Sequence, residues 1–154
     1  MYKTILVPLD GSKLAECVLP HVQALVRGCQ ANRVVFARIV EPFRKDMGGD
    51  YTLSDAQVQQ IETANRAEAE AYLKNIIDAG RHDCTGTESV VLNGAVAETL
   101  ADYAAKNKID VIVMATHGDS GLSRWVWGNV ADRVLRSANV PVLIVRAPGS
   151  VPDG

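Results

Sequence analysis

Five short apolar runs punctuate the chain, separated by longer stretches of mixed character. They are Thr4 to Val7, Arg33 to Val40, Ser89 to Leu92, Asp110 to Ala115 and Pro141 to Val145. Four carry an unbroken block: Ile5-Leu6-Val7, Val90-Val91-Leu92, Val111-Ile112-Val113-Met114 and Val142-Leu143-Ile144-Val145. Unbroken blocks, rather than strict alternation, suit strands covered on both faces, as in a parallel sheet. The stretches between them read as helices. The first runs from a Ser12 cap to about Gly28, with Pro20 inside it. A proline there removes a backbone bond, so it kinks the helix or marks its true start. The second spans about Ser54 to Ala79, with a face rich in Ala, Glu and Gln. The third spans about Ala95 to Asn107, and the fourth runs from Asn129, a good capping residue, to about Ala138.

The resulting order, β-α-β-α-β-α-β-α-β, predicts an α/β fold: a parallel sheet with helices on both faces and right-handed crossovers. Residues 1–147 are expected to form one domain and 148–154 a flexible C-terminal tail rich in Pro, Gly and Asp. Glu41 to Thr52, with Pro42 and Gly48-Gly49, is long for a loop in such a unit. It reads equally as a lid over a site or as a plain surface loop.

Composition narrows the class. A chain of 154 residues is the size of a single domain. Its 47% hydrophobic and 22% charged residues exclude a disordered, collagen-like or coiled-coil chain. Sixteen Lys and Arg against eighteen Asp and Glu leave a net charge of −2, so nucleic acid is not an expected partner. No apolar run approaches the length of a membrane span, so no membrane is expected. The N-terminal segment has too short an apolar core for a secretory signal. The expected location is cytoplasmic. Cys17, Cys29 and Cys84 form no C-x-x-C pair and read as small, partly buried thiols. His21, His82 and His117 lack metal-ligand spacing.

Candidate chemistry sits where the strands end, because open parallel sheets bind ligands at that rim. The first strand ends in Pro8-Leu9-Asp10-Gly11-Ser12 and the second in Val40-Glu41-Pro42. The fourth leads through Met114-Ala115-Thr116-His117-Gly118 and a further loop to Gly128-Asn129-Val130. Loop glycines let the backbone approach a ligand closely. A helix start offers free N–H groups and the positive end of the dipole. Together they describe an anion cradle suited to phosphate, although the same glycines also suit a plain turn. Neither G-x-x-x-x-G-K-[ST] nor G-x-G-x-x-G nor G-x-S-x-G occurs, and the third strand ends in Leu92-Asn93-Gly94 without a carboxylate. No nucleophile–base pair supports a catalytic residue. An adenylyl-transferase-like enzyme would need an H-x-G-H signature, which is absent.

Three segments, in this order, resemble the universal stress protein family. Lys3-Thr4-Ile5-Leu6-Val7-Pro8-Leu9-Asp10-Gly11-Ser12 is similar to its first strand and turn. Ala115-Thr116-His117-Gly118, nine residues, then Gly128-Asn129 resembles its nucleotide loop, G-x2-G-x9-G-[ST]. Pro141 to Arg146 resembles its last strand. The resemblance implies an adenine nucleotide alpha hydrolase-like sheet of five parallel strands in the order 3-2-1-4-5. It implies a stress-response protein that binds ATP, with Mg²⁺, as a nucleotide-dependent switch, with at most slow hydrolysis or autophosphorylation.

On that resemblance, Asp10 and the backbone of Pro8 and Leu9 meet the nucleoside, and Asp10 is also the candidate for nucleotide-bound Mg²⁺. Val40 offers backbone groups to adenine. Met114, Ala115, His117 and Gly118 line the ribose and phosphate path, and Gly128, Asn129 and Val130 give N–H groups to phosphates. Asp10 also reads as a turn residue bonding its own backbone, and His117 as a solvent-facing loop residue. Arg124 and Tyr51 are weaker candidates for phosphate and base. Trp125 and Trp127 read as packing, and Arg133 and Arg136 as surface charges. The resemblance further implies a homodimer through Val140, Pro141, Val142, Leu143, Ile144 and Val145. An apolar edge strand is a pairing template that a two-fold partner would cover. Ala115 and Asn129 stand where the pattern has Gly and Ser or Thr. They carry the alternative, a nucleotide-free dimerising adaptor of the same fold.

Overall fold

The structure, a computed structural model, describes residues 1–43, 53–80, 84–116 and 129–148. Its strands are β1 (Thr4–Pro8), β2 (Arg33–Val40), β3 (Gly86–Asn93), β4 (Val111–Thr116) and β5 (Val142–Arg146). Its helices are α1 (Leu19–Cys29), α2 (Asp55–Ala79), α3 (Val96–Lys106) and α4 (Asn129–Ser137). All strand pairs are parallel, and the sheet order is β3-β2-β1-β4-β5. The predicted alternation and strand order both hold.

Alternate side chains divide two cores. On one face Ile5, Val7, Val34, Phe36 and Val113 pack beneath Val22 and Val26 of α1 and Leu73 and Ile76 of α2. On the other, Leu6, Val35, Ala37, Ile112 and Met114 pack against Leu100 and Ala104 of α3 and Val134 of α4. Every residue of β4 is buried, which is why its sequence reads as an unbroken apolar block.

Two elements differ from the sequence reading. The first helical stretch is not one helix. A short 3₁₀ turn, Ala15–Val18, precedes α1, and Pro20 occupies the first turn of α1. There its missing N–H has no intrahelical partner to lose. Ser12 stands ahead of the 3₁₀ turn rather than as its N-cap, which is Leu14, and its hydroxyl accepts from the Ala15 N–H at 3.1 Å. The third strand is longer than its apolar block: all eight residues from Gly86 to Asn93 align with β2, from Arg33 to Val40. As an edge strand it needs only ladder bonds over Gly86-Thr87-Glu88, and these leave no apolar signature.

The long second helix starts as predicted. Ser54 and Gln57 form a reciprocal capping box, with the Gln57 N–H donating to Ser54 Oγ at 3.3 Å and the Ser54 N–H to Gln57 Oε1 at 2.9 Å. The fourth helix is described from Asn129 to Ser137, and the residues before Asn129 lie outside the described residues. Among the described residues no helix is long and apolar enough to cross a membrane. The three cysteines are free and half-buried, and burial raises the Cys17 thiol. Ala147, the last residue of the expected domain, is buried. The expected tail from 149 onward, and 44–52 of the candidate lid with Tyr51, lie outside the described residues.

Candidate functional site

The chain passes from β1 outward to β2 and β3, then returns to the opposite side of β1 to lay down β4. Neighbouring connections therefore diverge between β1 and β4, leaving a crevice at their carboxyl ends. A cleft of about 350 Å³ occupies that point. One wall is Pro8, Leu9 and Asp10 at the end of β1, and the facing wall is Met114 and Ala115 at the end of β4. Ile39 of β2 and Val96 and Leu100 of α3 supply an apolar floor. Asn129, Val130 and Ala131, the first turn of α4, close one side.

Local bonding explains why the walls stand where they do. Beyond the proline the Leu9 N–H still donates to the Ala37 carbonyl, at 2.9 Å, so β1 stays seated on β2 up to the turn. The chain then bends at Gly11, whose φ is +87°. Asp10 makes this turn with its own side chain. Its Oδ1 accepts from the Ser12 N–H at 2.9 Å and from the Ser12 hydroxyl at 2.6 Å. The turn reading of Asp10 thus holds, and the same residue lines the cleft.

On the far side, Arg133 Nη2 of α4 donates to Glu98 Oε1 of α3 at 2.6 Å. The Glu98 carboxyl is held below the usual carboxylate range, first by its own backbone N–H and then by Arg133. Both side chains are exposed, as expected for surface charges, yet the pair bridges the two helices that frame the cleft. Arg136 pairs with Asp132 one turn away.

Seven of the sequence-predicted residues come together on this cleft: Pro8, Leu9, Asp10, Met114, Ala115, Asn129 and Val130. Val40 is not on its wall. Its side chain packs toward the α1/α2 core, and its carbonyl accepts the Gly94 N–H at 3.2 Å. His117, Gly118 and Gly128 lie outside the described residues, as do Arg124, Trp125 and Trp127. Ile39, Val96 and Leu100 went unnoticed in the sequence because each reads as ordinary core. The i, i+4 spacing of Val96 and Leu100 at the start of α3 was the available signal.

The bond from Gly94 to Val40 anchors the turn that leads from β3 into α3. Gly94 has φ +137°, and a Cβ there would stand 2.6 Å from Thr99 Oγ1. Gly94→Ala is expected to destabilise the fold by about 2 kcal/mol through backbone strain and this clash. Urea unfolding checks it. Adding Thr99→Ala should recover the clash part of the loss and leave the backbone part.

A profile of the universal stress protein family matches residues 1–146. The chain belongs to that family. A universal stress protein of Methanocaldococcus jannaschii is 29% identical over 149 residues, covering 96% of this chain and 84% of the relative. Among solved structures, a universal stress protein in complex with cAMP superposes with a TM-score of 0.68 at 22% identity. That match covers 95% of this chain and 98% of the other. A family member from Arabidopsis thaliana with AMP bound gives a TM-score of 0.65 at 12% identity, covering 98% and 96%. At such identities the two structures establish a common fold with this universal stress protein domain.

Proposed function

We propose that the chain binds an adenine nucleotide in the β1/β4 cleft and works as a dimeric, nucleotide-dependent switch of the cytoplasmic stress response. The observation that carries this reading is the cleft's division of labour. Ile39, Val96, Leu100 and Met114 offer apolar surface to a flat base. Asp10 offers a carboxylate to ribose hydroxyls. The N-terminal end of α4, at Asn129 and Val130, would offer backbone N–H groups and the positive end of the dipole to phosphates. The volume suits a ligand of this class. The relatives with cAMP and AMP support an adenine nucleotide.

ATP is the form proposed here. Mg²⁺ would arrive on its phosphates as counter-charge, and Asp10 is the carboxylate on the cleft wall that fits it. Dimerisation is assigned to Val140–Val145. β5 pairs only with β4 among the described strands, and Leu143 is 39% exposed on it. The adaptor reading rests on Ala115, whose methyl carries bulk into the cleft wall where a glycine would leave room.

The test has two steps. Purified protein is denatured and any released nucleotide identified by chromatography; nucleotide-free protein is then titrated calorimetrically with MgATP and with AMP. Micromolar binding is expected, and Gly118→Val and Gly128→Val should each abolish it while the far-ultraviolet circular dichroism stays unchanged. Absence of released nucleotide, with no heat up to millimolar ATP, would replace the switch with the adaptor.

A further inference from the structure

Arg38 is out of place in β2. Val34 and Phe36, on the same face of the strand, are fully buried in the α1/α2 core, and Arg38 continues that face toward the carboxyl rim. It is half-buried, and its Nε is shielded from water with no hydrogen-bond partner among the described residues. A donor in that condition is unfavourable unless the group has another role. The guanidinium lies against Gly11. A Cβ at that glycine would stand 3.2 Å from Nη1, 3.4 Å from Cζ and 3.5 Å from Nη2. Three such similar distances bring the guanidinium group as a whole, rather than one nitrogen, against the turn.

Two carboxylates and a phenol share this corner. Tyr72 of α2 donates its hydroxyl proton to Glu16 Oε1 at 3.3 Å, and so ties α2 to the 3₁₀ turn. Its hydroxyl is raised, chiefly by burial, then by the negative charges of Glu16 and Asp10, while Arg38 acts in the opposite sense. Arg38 is thus the cation that opposes the charges of Asp10 and Glu16 at the Tyr72 hydroxyl. Asp10 faces two ways: it lines the cleft and, through Ser12, shapes the turn on which the guanidinium rests. Arg38 itself is not on the cleft wall.

We propose that Arg38 is a positioning residue for the cleft: laid against Gly11, it holds the Asp10–Gly11–Ser12 turn so that Asp10 meets the ligand. Planarity is the reason for arginine. A guanidinium covers a glycine with its face while staying charged, whereas an ammonium does not. The inference rests on the nucleotide reading for its effect on affinity, but not for its effect on the turn.

Two measurements test it. In the ligand-free protein, amide hydrogen exchange at Ser12, whose N–H donates to Asp10, is compared between wild type and Arg38→Met. About tenfold faster exchange at Ser12, with Phe36 and Ile112 unchanged, is expected. Unchanged Ser12 protection, or equal acceleration throughout the sheet, would overturn the proposal. Adenosine, AMP and MgATP are then titrated into wild type, Arg38→Met, Arg38→Lys, Asp10→Asn and the Arg38→Met/Asp10→Asn double variant. Arg38→Met should weaken all three ligands by a similar factor of about ten, Arg38→Lys by less, and the loss should vanish in the Asp10→Asn background. A loss that grows with phosphate number, or one that persists without the Asp10 carboxylate, would overturn it. If wild type binds none of the three, the nucleotide reading fails, and the exchange result still decides whether Arg38 holds the turn.

Discussion

Val130→Trp should reduce adenine-nucleotide affinity at least about 100-fold, equivalent to about 2.8 kcal/mol. Val130 sits in the first turn of α4 on the cleft wall, and 43% of its surface remains exposed. An indole there fits without displacing core atoms, so it occupies the space proposed for the nucleotide and leaves the fold in place. It also stands in front of the N–H groups at the helix start, so base and phosphate contacts are blocked together. Calorimetric titration with MgATP reads the loss, and a melting temperature within a few degrees of wild type shows the fold intact. Undiminished affinity would move the nucleotide away from this cleft altogether.

Phe36→Ala should be the most damaging single change to stability, at about 3–5 kcal/mol. Phe36 is 0% exposed and is the largest of the fully buried side chains. It lies in β2 between Val7 of β1 and Ser89 of β3, and beneath the α1/α2 layer. Truncation removes its transfer free energy and leaves a cavity, because strands on both sides hold the backbone and prevent collapse. A domain of this size carries roughly 5–15 kcal/mol in all. The melting temperature should therefore fall by roughly 6–20 °C. Urea denaturation should show a lower midpoint with an unchanged slope. A loss below about 1 kcal/mol would mean that the layer repacks and that the core is less rigid than its burial implies.

The two variants probe parts of the molecule that differed in how readable they were. Buried strands announce themselves: Val111 to Met114 is apolar throughout because both faces of β4 are covered. The first half of β3 does not, since an edge strand can satisfy its backbone through one neighbour while Glu88 and Ser89 face water. Pro20 signalled a break, but only the packing showed a 3₁₀ turn on one side of it and a helix on the other. In the site, Asp10, Ala115 and Asn129 were legible because strand ends and helix starts have local chemical marks. Ile39, Val96 and Leu100 carry no such mark, and Val40, expected to offer backbone groups, does not line the cleft and turns its side chain to the α1/α2 core.

By itself, the sequence determined the parallel α/β class, the succession of elements, the extent of the second helix and the family. These follow from periodicity, from cap and turn chemistry, and from short motifs in a set order, all written in neighbouring residues. Only the tertiary structure decided that seven of the expected residues share one cleft with an apolar floor. It alone left Val40 off that cleft's wall and laid Arg38 against Gly11. Those outcomes depend on strand order and on which face each side chain takes, and they join positions dozens of residues apart. Contacts of that kind exist only once β1 has been enclosed between β2 and β4.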